Sequence, residues 1–517
     1  MQRIETRKFK YQGKSYEMLV PVFVLWTIAV IGGVFFFSLD GDLSKIFSRY
    51  YLVPWVLLVA ITIAIPNLYL ISKKQFNLFH PLTFAAWSYF IPMFVVGGLI
   101  LSSGISEPFF MSLISDAHYN LPLTMVYVSL GYLGLSVGFF FPFSDKIGIK
   151  VGELLPTWEW QTNQIVLPAF GLLLIGLTNT VLAYLIGVLG FQRAEEIGSY
   201  DGTLFLLTLL WLEASFLLCL WIFKSPQLNV NHYFVIAFLI VVTLSKAAFQ
   251  GNRGSLLQIF FLITMAFVFS GRKITFKHSV YGSVLLVFVL LFGMIYGTTF
   301  RTIKQSEEKV SIDQYSEYVF TAIGTVYEQD FDANLQQGLN AIAERLESVS
   351  SLAVLVATYE QQQPYEESYG LDNNIIKDNL VFFIPRLFWQ DKPVASVPHN
   401  YSDLYFNYSE NSFAVTPMGD LLRNFGPIGV PLGMMLLGLI LRIIYTSLIE
   451  VKINSLWRIV MYYMLLTTVS YEGFFSTIIP YMFKYGAIAL LGILFIHLTR
   501  FLFLDRNSIK PSARARV

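Results

Sequence analysis

Five arginines stand where a hydrophobic stretch ends or within one long, more polar segment. They are Arg253 in Gly251-Asn252-Arg253-Gly254, Arg301 after Gly297-Thr298-Thr299-Phe300, Arg345, Arg386 and Arg423. A guanidinium is planar, stays charged at any biological pH and forks onto phosphate oxygens through paired hydrogen bonds. Several of them converging would suit a diphosphate. The glycines flanking Arg253 let the backbone turn tightly and approach a ligand; the alternative is an interfacial arginine reaching for headgroups. Around Arg345 the helical neighbours are Ala341, Ile342, Ser348 and Val349. No carboxylate is within local reach, so a tertiary partner, a ligand or water must satisfy it.

A second group supplies proton-transfer candidates. His399, in His399-Asn400-Tyr401-Ser402-Asp403, is the histidine of the long segment. Its ordinary pKa of about 6.5 suits general base catalysis, although a solvated loop histidine is the plain alternative. Asp403, Asp420 and Glu472 are further base candidates. Asp420 and Arg423, three apart, would also pair on one helical face. Glu472, in Ser470-Tyr471-Glu472-Gly473, has an interfacial structural role as its alternative. The stretch Phe383–Pro393 carries Arg386 and Lys392 between two prolines, as a cation pair or simply as a turn. Asp40-Gly41-Asp42 has too few oxygens for a divalent cation, and Cys219 stands alone, so neither a metal nor a cofactor is expected.

The elements that must hold these groups are membrane helices. Of 517 residues 55% are hydrophobic and 13% charged, and the mean hydropathy is +0.59. A soluble domain carries roughly a quarter charged residues. The net charge of +1 argues against nucleic acid as a partner. Apolar runs of about 20 residues fall at Met18–Leu39, Tyr51–Ser72, Pro81–Ser102, Leu121–Phe143, Gln164–Gly190, Thr203–Phe223, His232–Phe249, Ser255–Ser270, Ser279–Phe300, Pro427–Ile449, Trp457–Ile479 and Tyr481–Leu504. The first follows a basic stretch but is too long for a signal h-region and lacks a cleavage pattern, so a retained helix is expected. The fold class is therefore an all-α polytopic membrane protein of about 12 transmembrane helices.

Lysine and arginine collect in every second connection, at Lys73–Lys74, Lys146 with Lys150, Lys224, Arg272–Lys273 with Lys277, Lys452 with Arg458, and in the tail. Cytoplasmic loops attract such residues, so both termini are expected in the cytoplasm and the long segment outside. Three regions result: 1–300 with nine helices, 301–426 as an extracytoplasmic loop, and 427–517 with three helices and the tail. Within the loop Leu335, Leu339, Ile342, Leu346, Val349, Ala353 and Val356 form an apolar stripe at steps of four and three. This predicts an amphipathic helix lying on the bilayer or on the membrane domain.

The Arg253 turn, Arg345-Leu346, the Ile384-Pro385-Arg386 segment closing on Asp391-Lys392-Pro393, and Asn424-Phe425-Gly426 before a glycine-rich helix together resemble the bacterial O-antigen polymerase (Wzy-type) family. The resemblance covers the C-terminal half. It implies a GT-C-like fold in the bacterial inner membrane and metal-independent transfer between polyprenyl-diphosphate-linked oligosaccharides, donor and acceptor. A flippase and a chain-length regulator are implied as possible partners. From position and charge type, Arg253, Arg301, Arg345 and Arg386 are expected to clamp diphosphates with Lys392 and Arg423 in support; the resemblance leaves the base open, and His399 is preferred over Asp403, Asp420 and Glu472. The rivals are an O-antigen ligase-like transferase and a flippase or other transporter of lipid-linked sugars.

Overall fold

The computed structural model describes residues 49–104, 108–186, 188–189, 201–250, 253–272, 275–304, 312–328, 342–384, 388–389, 392, 397–408, 413–451 and 455–508. Among them the chain is helical, with no strand. The first half holds α1 (Tyr50–Ser72), α2 (Pro81–Ser103), α3 (Ala117–Phe140), α4 (Pro142–Leu154), α5 (Val166–Leu185), α6 (Asp201–Lys224), α7 (Val230–Gln250), α8 (Arg253–Phe269) and α9 (Phe276–Lys304). The second half holds α10 (Ile312–Glu328), α11 (Val349–Gln362), α12 (Asn374–Val381), α13 (Pro398–Phe406), α14 (Pro417–Tyr445), α15 (Leu456–Leu466) and α16 (Phe475–Ser508).

Eight helices among the described residues are long and apolar enough to cross a membrane: α1, α2, α3, α5, α6, α7, α14 with its continuation to Glu450, and α16 to Arg500. The chain is a multi-pass membrane protein. Two shorter apolar helices, Leu257–Phe269 and Leu456–Leu466, add to these. The expected span Met18–Leu39 and the Asp40-Gly41-Asp42 turn lie outside the described residues. In α2, Pro92 offers no N–H to the ladder, and the residues Ala86–Val96 around it take the wider π spacing.

The packing of α3 on α14 is built on small residues. A Cβ at Gly134 or Gly138 would collide with the carbonyl oxygens of Pro431 and Met435, and one at Gly438 with that of Leu135. Between helices in lipid no water-driven force is available, so such close backbone contact supplies the van der Waals energy of association.

The structure bears on three sequence expectations. The first is the unbroken span Trp457–Ile479. Helix α15 stops at Leu466, residues 467–474 are not helical, and α16 begins at Phe475. Thr467 and Thr468 donate their hydroxyls to the carbonyls of Tyr463 and Met464, occupying acceptors of the last turn. The irregular stretch is anchored by protein through the buried Val469, Tyr471 and Phe474, while Ser470 is exposed and Glu472 half-buried. The second is the start of the tenth span, expected at Pro427. The chain does start a new helical stretch there, but a further helical segment from Pro417 precedes it within α14, separated by a break at Gly426, whose φ is +69°. A residue before proline is pushed out of the helical region, and glycine accepts the left-handed one. Asp420 and Arg423 therefore sit on a helical segment that leads into the spanning helix.

The third concerns the amphipathic helix. Its described part is a short helical piece over 342–346, a break at 347–348, and α11. Residues Val349–Val356 are buried on every side, so of the two expected placements, on the bilayer or on the membrane domain, α11 takes the second, packed against α3 and α14. Glu347 makes the break: its carboxylate accepts from the Ser350 N–H at 2.8 Å and from the Ser350 hydroxyl. Burial pushes its pKa up against those hydrogen bonds. Residues 335–341 of the stripe lie outside the described residues.

The two ends of the bundle differ. At one, Arg442 pairs with Asp145 and Glu450 at 2.7 and 3.1 Å. Arg458 donates to the carbonyls of Ser447 and Gly152, both at 2.9 Å, Arg500 to that of Glu159, and Arg272 to those of Phe223 and Ser225. The opposite end, where α14 and α16 begin, holds the site described next.

Candidate functional site

The site is assembled from helix starts. Thr416 caps α14 by accepting from the Gly419 N–H at 3.0 Å, and the N–H groups of Val415 and Thr416 donate to the Glu472 carbonyl. The non-helical stretch before α16 is thereby tied to the start of α14. Asp420 accepts from the Ser476 N–H at 3.0 Å, placing its charge at the N-terminus of α16 where free N–H groups favour an anion.

Around Asp420 a buried polar cluster closes. Arg423 donates through Nη2 to Asp420 Oδ1 at 2.7 Å, and through Nη1 to Glu366 Oε1 at 3.0 Å and the Leu371 carbonyl at 2.8 Å. Its guanidinium carbon lies 5.5 Å from the centre of the Phe474 ring. Asn374 reaches Asp420 Oδ1 and Ser476 Oγ at 3.2 and 3.1 Å, and Ser476 Oγ donates to Asp378 Oδ2 at 2.7 Å. Asn424 donates to Asn374 Oδ1 at 2.8 Å. The Tyr405 hydroxyl donates to Glu366 at 2.6 Å, and burial together with that carboxylate pushes the phenol well above its ordinary range.

Neither Arg423 nor Asp420 has any exposed side-chain surface. Two of the sequence candidates are thus members of this buried cluster. Arg423 is engaged by two carboxylates and a carbonyl. Asp420 accepts from four groups, so its lone pairs are not open to a substrate hydroxyl. The cluster is a lock joining α12, α13, α14, α16 and the turn Gln363–Tyr369.

Beside the lock lies an accessible pair. Arg345 Nη2 meets Glu472 Oε2 at 2.6 Å, with the two side chains 43% and 35% exposed. This is the tertiary partner that the Arg345 neighbours lacked. Tyr471, next to Glu472, stacks on Tyr89 of α2 with ring centres 5.9 Å apart, which fixes the backbone from which Glu472 projects.

The remaining sequence candidates are described only in part. His399 and Asp403 stand on α13, half-buried, whereas the buried side of that helix is formed by Tyr401 and Tyr405. Lys392 donates to the carbonyls of Phe382 and Ile384 at 3.3 and 2.8 Å, closing the turn after α12. Arg253 opens α8 and Arg301 lies in α9, with their side chains outside what is described; Arg386 lies outside the described residues altogether. Glu366, Asn374, Asp378, Tyr405 and Ser476 had no signal in the sequence beyond being polar. Among the described residues no group of three or more His, Cys, Asp or Glu could hold a metal ion.

Residues 173–489 match the family described as a domain of unknown function, DUF8712. The chain belongs to this family. The matched region runs from within α5 to within α16, so the DUF8712 domain contains the lock, the Arg345–Glu472 pair and the break between α15 and α16. No curated protein and no solved structure matches the chain.

Proposed function

We propose that this DUF8712 protein is a membrane glycosyltransferase that polymerises polyprenyl-diphosphate-linked oligosaccharide units. The growing glycan moves as a block onto a new lipid-linked unit, in a bacterial inner membrane and within a GT-C-like arrangement of about 12 crossings. The observation that carries the reading is the Arg345–Glu472 pair, open to its surroundings and held by a buried lock at one end of the bundle. Lysine and arginine crowd the opposite end, and such residues favour the cytoplasm. On this reading the pair faces the extracytoplasmic side, where lipid-linked glycans are joined.

The chemistry follows from the exchange of partners. A donor diphosphate competes with Glu472 for the Arg345 guanidinium, since paired hydrogen bonds to phosphate match its fork. Glu472 is then released beside the reacting sugar and takes the proton of the acceptor hydroxyl. The acceptor oxygen bonds to the anomeric carbon as the bond from that carbon to the diphosphate oxygen breaks, and the diphosphate leaves with the electron pair. Cations placed where this charge develops lower the barrier. Arg253, Arg301 and Arg386 are the further clamp residues of this proposal. Glu472 replaces His399 as the leading base, because it is the base candidate in contact with a clamp arginine.

The test is to incubate purified, reconstituted protein with a lipid-linked repeat unit and resolve the products by size. A ladder supports polymerisation, and an unchanged unit overturns it. Arg253→Lys and Arg386→Lys test the clamp: normal polymer from both removes those two residues from it.

A transporter of lipid-linked sugars is the second reading, favoured by two observations. The crossing 456–474 is half helix and half irregular, a feature of carrier sites. Glu213 in α6 is fully buried, with neither oxygen hydrogen-bonded in the structure, and an ionisable side chain inside a spanning helix marks transport paths. Movement of the unit across vesicles without a ladder, abolished by Glu213→Gln, selects this reading.

A further inference from the structure

Helix α12 is amphipathic in a way the long stripe of the sequence did not announce. One face carries Asn374 and Asp378, buried against Asp420 and Ser476 of the lock. The other carries Ile376, Leu380 and, in the turn that follows, Phe383, which are 50%, 64% and 57% exposed. Ile376 and Leu380, four apart, share one helical side, and Phe383 follows them in the turn as a third uncovered apolar side chain.

The place of these side chains says what covers them. Asn379 donates to the Ser476 carbonyl at the start of α16, and the ring of Phe382 meets that of Phe483, centres 5.2 Å apart. Phe483 lies seven residues beyond Ser476, about 10 Å further along the helix. The end of α12 therefore reaches down the flank of a membrane-spanning helix. Tyr481 and Phe483 of that helix are exposed as well, and Phe388, after the α12 turn, is 80% exposed. Exposed apolar side chains thus stand on both α16 and the adjoining α12, which meet through Phe382 and Phe483, and Lys377 on α12 pairs with Asp372 at 2.6 Å.

We propose that α12 is a re-entrant interfacial helix whose Ile376–Leu380–Phe383 stripe is immersed in the acyl chains of the bilayer leaflet at this end of the bundle. Its polar face closes the lock while its apolar face meets lipid, so α12 is the wall between the two. The occupant is lipid because the stripe adjoins the flank of a spanning helix, where acyl chains are the neighbouring medium. The inference needs only a membrane protein, and stands whether or not the chain transfers sugars.

The experiment uses the full chain with Cys219→Ala as background, reconstituted in phosphatidylcholine vesicles. Single cysteines at Ile376, Leu380 and Phe383 carry a nitroxide, with Phe483 as the lipid reference and the exposed Glu367 as the water reference. Collision with oxygen, which partitions into lipid, is compared with collision with a water-soluble nickel chelate. The expected result is an oxygen-to-nickel ratio at all three positions several-fold above that of Glu367 and close to that of Phe483. A ratio like that of Glu367 puts the stripe in water and overturns the proposal. Low collision with both reagents means that a second copy or another part of the protein covers it, which overturns it equally.

Discussion

Arg423 donates to Asp420 from one turn further along α14, at 2.7 Å, and both side chains are sealed from solvent. The same guanidinium also holds Glu366 at 3.0 Å. One cation thus compensates two buried carboxylates from different parts of the chain. A buried pair broken from one side leaves an uncompensated charge, a cost of about 3–5 kcal/mol. Arg423→Met should therefore lower the unfolding temperature in detergent strongly. Adding Asp420→Asn and Glu366→Gln should recover part of the loss, since the stranded charges are then removed. An Arg423→Met protein as stable as the wild type would show that the lock does not hold the fold.

The α3–α14 contact gives a prediction with an internal control. Gly138→Ala drives a methyl into the Met435 carbonyl, and forced overpacking costs typically ~1–3 kcal/mol. At Gly171 of α5 the nearest atoms to an added Cβ belong to Phe495, at 3.6 Å, an ordinary contact. Gly171→Ala should leave the unfolding temperature unchanged or slightly raised, while Gly138→Ala lowers it. Equal behaviour of the two variants would remove the close approach as the reason for glycine.

Acid should weaken the basic end through His80. Its ring is buried between Phe139 and Tyr445, with centres 4.6 and 4.9 Å away. Burial, aided by Arg442, lowers its pKa from 6.5 to about 3. The folded value is depressed below the unfolded one, so the neutral ring contributes stability that is present above pH 6.5 and lost as pH falls toward 3. The slope from this group is at most about 1.4 kcal/mol per pH unit. Unfolding measured between pH 7 and 4.5 should fall more steeply for the wild type than for His80→Phe. Parallel curves would show that the histidine is not held neutral.

Much of the fold was legible because hydropathy over twenty residues reports burial in lipid directly. The span Pro81–Ser103 differs from its expected end by a single residue. The break at residues 467–474 was hidden because Thr467, Thr468 and Tyr471 are apolar enough to extend a hydropathy window, while hydroxyl competition for carbonyls is a local effect. Within the site, charge type and helical spacing identified Asp420 with Arg423, and the missing local partner of Arg345 pointed to a tertiary one. That this partner is Glu472, 127 residues away, no spacing rule could reveal. Glu366 and Asn374 were equally invisible, since their roles exist only once α14 and α16 start side by side. The Ile376–Leu380–Phe383 stripe escaped notice because α12 is only eight residues long.

The accessible pair should matter little to stability. With both side chains partly exposed, an ion pair contributes roughly 0.2–1 kcal/mol. Arg345→Lys, Glu472→Gln and the double variant should unfold within a degree or two of the wild type, a spread consistent with that energy in a protein of this size. A large loss in either single variant would make the pair part of the lock and not a site.

That stability makes the decisive comparison possible. Wild type and Glu472→Gln, reconstituted at equal amounts and shown to unfold alike, are given the same lipid-linked repeat unit, and the glycan products are resolved by length. The account predicts a ladder from the wild type and none, or a rate reduced at least about a hundredfold as expected for loss of a general base, from Glu472→Gln. A ladder of equal rate from both proteins, or no ladder from the wild type, would contradict it.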